Sequence, residues 1–132
     1  GRTALRNGRS QWITGEAARR DGHRWRARAC AVLTGIGTVR DDDPQLTVRE
    51  VDTPRQPLRI VVDSRLETPA GAKVLARGGA LVVGATADSA RVAALEAAGA
   101  QVLTLPNAAG KVDLAALLRQ LAQRGINELH VE

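Results

Sequence analysis

The run Thr34-Gly35-Ile36-Gly37-Thr38 joins two glycines that let a backbone approach a ligand closely. It leaves amide donors at the following turn for a phosphate. Position 40 is Arg40 rather than the third glycine of a dinucleotide fingerprint, so the G-x-G is a weak signal, more often a plain turn. Asp41-Asp42-Asp43 could suggest a divalent cation, but a turn ahead of Pro44 is the commoner cause, and the triplet lacks calcium-loop spacing. Asp63-Ser64, closing an apolar run, has a plain reading as a turn or helix cap. Glu128, His130 and Glu132 alternate along one segment and share a face if it is a strand. One histidine without a nearby nucleophile is weak evidence for acyl transfer. Cys30, with His23 and His130 as its sole companions, makes neither a disulfide framework nor a thiolate–imidazole metal site.

Charge narrows the ligand class. Residues 1–60 hold twelve arginines against seven acids, net +5, whereas residues 61–132 balance at seven and seven. Most of the excess lies on Arg2, Arg6, Arg9, Arg19, Arg20, Arg24, Arg26 and Arg28. Arginine is the side chain suited to bidentate phosphate contacts. The plain alternative is a solvated basic helix. No aromatic platform accompanies the arginines, so a nucleic-acid binder ranks last and no nucleic-acid partner is expected.

The elements that must position these groups follow from periodicity. The 132 residues are 44% hydrophobic and 25% charged, as in one globular domain. Phe, Tyr and Met are absent, so Val, Leu, Ile and Ala must build the core. No apolar run approaches the roughly 20 residues a spanning helix needs, so no membrane partner is expected. Gly1 opens no signal-peptide pattern, and without a starting methionine the sequence reads as a piece of a longer polypeptide.

Ser10–Ile13 is a short strand candidate, followed by a helix from Thr14-Gly15 to about Ala29. Its buried stripe is expected at Ala18, Gly22, Trp25 and Ala29, with Arg19, His23 and Arg26 beside it. Cys30–Leu33 reads as a strand, Thr34–Thr38 as a glycine turn, and Leu46–Arg49 as a short extended segment. Strands follow at Leu58–Ser64, Ala80–Gly84, Gln101–Leu105 and Glu128–Glu132. Asp88 and Asp113 cap helices stopped by Gly99 and Gly125, the second burying Leu114, Leu117, Leu118 and Leu121. Strand–helix alternation means an α/β fold, a largely parallel sheet with helices on both faces. A sheet that ends on a buried-looking strand reads as incomplete. Ligands in such sheets bind beyond the carboxyl ends of the strands.

Three stretches carry a more specific signal: Arg9-Ser10-Gln11-Trp12-Ile13-Thr14; Arg26-Ala27-Arg28 leading into Ala31-Val32-Leu33-Thr34-Gly35-Ile36-Gly37-Thr38-Val39; and Asp42-Asp43-Pro44-Gln45-Leu46-Thr47-Val48-Arg49. Together with Arg59-Ile60-Val61-Val62-Asp63-Ser64 they resemble the reductase domain of the bacterial bifunctional riboflavin biosynthesis deaminase/reductase.

The resemblance implies a dihydrofolate-reductase-like fold. It also implies NADPH-dependent reduction of 5-amino-6-(5-phosphoribosylamino)uracil, a small phosphorylated pyrimidine, by hydride transfer to the sugar C1′. Ser10, Arg26, Leu46, Arg49 and Glu132 fall at its substrate-binding positions, with Arg26 and Arg49 as forks for the ribose phosphate. Trp12, Thr38, Asp42 and Ser64 fall at cofactor-binding ones, and Asp42 is also a candidate for assisting proton transfer. A zinc deaminase domain in the same full-length chain, a homo-oligomer and a cytoplasmic location are further implications. By the same resemblance, residues 1–132 are part of the reductase domain, lacking its first strand and its C-terminal strands. A non-catalytic phosphate- or nucleotide-binding module is the competing reading.

Overall fold

The computed structural model describes Arg6, Asn7 and residues 14–132. The strand expected at Ser10–Ile13, with Ser10 and Trp12, lies outside them. The elements run α1 (Glu16–Arg28), β1 (Ala31–Gly35), α2 (Ile36–Asp42), β2 (Leu58–Val62), a 3₁₀ turn (Lys73–Leu75), β3 (Ala80–Gly84), α3 (Ser89–Ala97), β4 (Ala100–Thr104), α4 (Leu114–Gln123) and β5 (Leu129–Val131).

Among the described residues, five strands lie parallel in the order β4-β3-β2-β1-β5. Their side chains alternate between two cores. Val32, Val61 and Val82 point to one, which Val39 of α2 and Leu95 of α3 cover. Ala31, Ile60, Leu81 and Val83 point to the other, which Leu117 and Leu121 of α4 cover. Continuous apolar strands are what a sheet buried on both faces requires. Register puts His130 of β5 and Arg59 of β2 beside Val32, so both side chains emerge on the α2–α3 face.

Local chemistry sets the helix ends. The Asp88 Oδ1 accepts the amides of Ala90 and Arg91, both at 3.1 Å, and the Asp113 Oδ1 accepts that of Ala116 at 2.9 Å. Each satisfies donors the helix leaves unpaired. Gly99 and Gly125 stop these helices at φ 87° and 78°, a conformation that favours glycine.

Three expectations need correction. First, α1 does not bury Ala18, Gly22 and Trp25: Ala18 is exposed, Trp25 is 47% exposed, and His23 is the helix's buried residue. The helix turns its polar side inward because it meets a backbone segment and a carboxylate there, described below.

Second, Thr34–Thr38 is not a loop. Gly35 is the N-cap of α2 at φ −95°, so the chain passes from strand to helix without a left-handed residue. Third, α4 buries Leu117 and Leu121 but leaves Leu114 and Leu118 exposed. Its contact with the sheet is narrower than the leucine spacing suggests. The extended segment Leu46–Arg49 pairs with no strand among the described residues; side chains hold its backbone.

Candidate active site

Arg26, near the end of α1, reaches the carboxyl end of β5. Its Nε donates to Glu132 Oε1 at 2.6 Å and its Nη2 to Oε2 at 2.7 Å. Nη1 donates to the Thr47 carbonyl at 3.2 Å. This is the side-on, two-point geometry that suits guanidinium and carboxylate best. The side chains are 17% and 25% exposed, so water screens the pair less than an ordinary surface bridge.

Glu132 is fixed through its backbone as well. Its amide donates to the Leu33 carbonyl at 2.9 Å, and its carbonyl accepts from Thr34 Oγ1 at 2.9 Å. His130 Nε2 lies 3.1 Å from Oε1. Burial pushes the Glu132 carboxyl up, but the Arg26 guanidinium and His130 outweigh it and hold it below its ordinary value. It is a carboxylate at neutral pH, with limited exposure left for a ligand.

The segment from Gln45 to Arg49 forms the next wall. Leu46 is buried at φ 54°, so its side chain serves the core and its backbone alone can meet a ligand. An extended chain presents successive peptide groups to opposite sides. Toward α1, the Thr47 carbonyl receives Arg26 and the Arg49 amide donates to His23 Nδ1 at 3.3 Å. On the other side, Gln56 brackets Val48, its Oε1 accepting the amide at 2.8 Å and its Nε2 donating to the carbonyl at 3.0 Å.

His23 is therefore an acceptor at Nδ1. Burial lowers its pKa, as do nearby Arg26 and Arg49, against the opposing pull of Glu50 and Glu132. Arg49 itself is exposed, and its Nη1 makes weaker contacts, 3.2 Å to Thr47 Oγ1 and 3.4 Å to Gln45 Oε1.

Among the expected site residues, Arg26, Leu46, Arg49 and Glu132 thus share one neighbourhood. Arg26 enters it with every nitrogen engaged by Glu132 and Thr47, so its fork faces a carboxylate. Thr38 lies half-buried in α2, and no hydrogen bond within the described residues occupies its hydroxyl. Ser64 follows the carboxyl end of β2, where its Oγ accepts the Val112 amide at 3.2 Å.

Asp42 is exposed at the last position of α2. Its neighbour Asp43 takes the structural role: at φ 42° it ends the helix, and its carboxylate accepts the Lys73 amide at 2.9 Å and pairs with Nζ at 3.1 Å. Hydrogen bonds and ion pairs within the described residues do not link Thr38, Asp42 or Ser64 to the Arg26–Glu132 pair. Asp63 is buried, with Oδ2 accepting the Thr68 amide and hydroxyl at 2.7 and 2.8 Å, which fits the plain turn reading.

Sequence reasoning passed over His23 and Gln56 as site-builders and singled out Thr34 only as the start of the glycine turn. Their partners lie at Arg49, Val48 and Glu132, and for His23 and Thr34 the separations, 26 and 98 residues, produce no periodic signal.

The five-stranded parallel sheet with its covering helices is of the dihydrofolate-reductase-like class. The family model described as RibD C-terminal domain matches residues 1–132, and the chain belongs to that family. It is 38% identical over 135 residues to the riboflavin biosynthesis protein RibD of Bacillus amyloliquefaciens, covering 100% of this chain and 36% of that protein.

Among solved structures, Acinetobacter baumannii RibD superposes with a TM-score of 0.81 at 36% identity, covering 100% of this chain and 36% of the other. The Thermotoga maritima diaminohydroxyphosphoribosylaminopyrimidine deaminase/5-amino-6-(5-phosphoribosylamino)uracil reductase gives 0.79 at 26%, covering 100% and 35%. The chain thus spans little more than a third of the length of these relatives. Within the described residues, no helix is long and apolar enough to cross a membrane.

Proposed function

We propose that this domain performs the reductive step of riboflavin biosynthesis, the NADPH-dependent conversion of 5-amino-6-(5-phosphoribosylamino)uracil to its ribitylamino product. The observation that carries this reading is the convergence of Arg26, Thr34 and His130 on Glu132 at the carboxyl end of the sheet, in a chain the family matches end to end.

Glu132, held ionised and oriented, accepts from hydroxyl or amine groups of the substrate. Arg49, whose donors are weakly engaged, supplies the charge for the ribose phosphate, with the Leu46 backbone beside it; Ser10 joins the substrate-binding set through the family resemblance. Arg26 acts on the substrate largely by fixing Glu132. These residues hold the sugar carbon in near-attack geometry, and such positioning lowers the barrier by converting an encounter into a step within one complex.

The residues present fit a nicotinamide cofactor. A side chain added at Gly35 or Gly37 would meet no atom within 4 Å, so a ligand has room against the start of α2. Thr38 offers an unengaged hydroxyl there. Trp12, Thr38, Asp42 and Ser64 would hold NADPH, which when bound supplies the hydride. Asp42, exposed at the helix end, orients the cofactor in this reading.

We further assign the domain to a longer cytoplasmic chain that also carries a zinc deaminase domain, assembled as a homo-oligomer. Its reductase domain then includes a first strand and later strands beyond residues 1–132.

Substrate-dependent loss of the nicotinamide absorbance, measured with purified protein and freshly prepared substrate, is the test. Tight substrate binding without NADPH consumption would replace the reading with a non-catalytic binding module.

A further inference from the structure

A cavity of about 610 Å³ opens beside the first residues of β2 and the turn leading into β3. Four cations line it, Arg49, Arg59, Lys73 and Arg77, and no carboxylate does. Asp43 neutralises Lys73 at 3.1 Å. Arg49, Arg59 and Arg77 have no carboxylate partner among the described residues.

Arg59 is the unusual member. It is 5% exposed, yet its one side-chain hydrogen bond among the described residues runs from Nη1 to the Ala76 carbonyl at 2.8 Å. Its Nε is buried without a partner. A guanidinium carries five N–H donors and a full charge, and burying such a group without an anion is costly. Burial alone pushes its pKa down, with no acid to oppose it. The adjoining turn brings Arg77, Gly78 and Gly79 through φ 67°, 67° and 69°, which places a second, exposed arginine on the cavity wall.

The cavity shares Gln45, Thr47 and Arg49 with the wall of the reaction site, but Arg26 and Glu132 do not line it. The Gln45–Arg49 segment lies between cavity and reaction site: His23 and Arg26 hold one of its edges, and Gln56, a cavity residue, holds the other. We propose that the cavity is an anion site, built on Arg59 and Arg77 with Arg49 at its rim, that takes the phosphate or pyrophosphate group of a small molecule. An anion there offsets the uncompensated charge of the Arg59 guanidinium, which lines the cavity, and supplies the negative charge that the lining lacks. Arg49 reaches the rim from the segment that also walls the reaction site, so an occupied cavity bears on substrate phosphate binding.

Titration calorimetry at low salt with inorganic pyrophosphate tests the proposal. The wild-type protein should be compared with Arg59→Lys, Arg77→Gln, Arg26→Gln and Arg119→Gln. Arg77→Gln removes an exposed, unpartnered side chain and leaves packing intact, so it stays informative even if Arg59→Lys melts early. Each cavity variant should weaken binding by about tenfold or more, the size of one charge-assisted contact. Arg119→Gln should bind as the wild type does, and Arg26→Gln, which loosens the shared wall, should lose less than the cavity variants. Three outcomes would each overturn the proposal: no wild-type binding at millimolar pyrophosphate; loss in Arg26→Gln but not in the cavity variants, which puts the anion at the reaction site; and equal weakening in Arg119→Gln, which marks general charge attraction.

Discussion

Arg26 and Glu132 stand 106 residues apart and meet through two parallel hydrogen bonds of 2.6 and 2.7 Å. The contact ties the end of α1 to the carboxyl end of β5, and through Nη1 it also holds the Thr47 carbonyl. One side chain therefore sets the relative position of a helix, a strand and the site's extended wall.

Replacing Arg26 by alanine should cost about 2–3 kcal/mol of stability, since it removes charge-assisted bonds and leaves a partly buried carboxylate without its partner. Urea denaturation reads this directly. Lysine should restore less than half of the loss, because a point charge cannot reproduce the fork. In the assay, Arg26→Ala should lower kcat as well as raise KM, since Glu132 loses its orientation. A change in KM alone would mean that Arg26 touches the substrate and does not position Glu132.

Arg49→Ala should behave differently. Its side chain is exposed and its contacts are 3.2 Å or longer, so the melting temperature should stay within about a degree, as for most surface substitutions. The substrate KM should rise by about tenfold or more through loss of a phosphate contact. An unchanged KM would remove Arg49 from the phosphate site.

What was legible in the sequence follows physical range. The Asp88 and Asp113 caps, the Gly99 and Gly125 stops and the apolar run Ala80–Gly84 all depend on neighbours within a few residues, and the structure repeats them. The polar inward side of α1 was not legible, because His23 and Arg26 are buried by partners at Arg49, Thr47 and Glu132. Leu46 at φ 54° likewise defeats local propensity, since core burial of its side chain outweighs the backbone preference. The candidate residues were found through family resemblance; that Arg26 serves Glu132 came from the geometry.

Gly84 tests how tightly the carboxyl end of β3 is packed. A methyl group there would lie 2.6 Å from Leu66 Cδ2 and 2.9 Å from its Cγ. Leu66 is 3% exposed and sits at φ 55°, so it has little room to retreat. Gly84→Ala should destabilise the domain by about 1–3 kcal/mol, the usual cost of overpacking. Pairing it with Leu66→Ala should recover part of that loss, which a double-mutant cycle measures. Additive losses would show that the clash is not the cause.

The last prediction concerns pH. His23 is neutral in the folded domain, and its pKa lies below the ordinary 6.5. The unfolded chain therefore takes up a proton at a higher pH than the folded one. Between 6.5 and the lowered folded value the unfolded state binds more protons, so stability must fall as pH falls through that window. The loss stops once both states are protonated. Protonation also removes the Nδ1 acceptor of the Arg49 amide, so the site's wall should loosen over the same range. His23→Asn, which keeps an acceptor but does not titrate, should flatten the stability profile as pH falls below 6.5. Glu132 supplies a separate, lower window: its folded pKa lies below 4.5, so its contribution is complete above that value and is lost as pH falls through the folded one. Asp43, held below its ordinary value by its hydrogen bonds to Lys73, adds to that window. Glu132→Gln should therefore shrink the lower slope and keep the upper one. A His23→Asn profile that keeps the wild-type slope just below pH 6.5 would show that another group titrates there, and that His23 does not govern the wall.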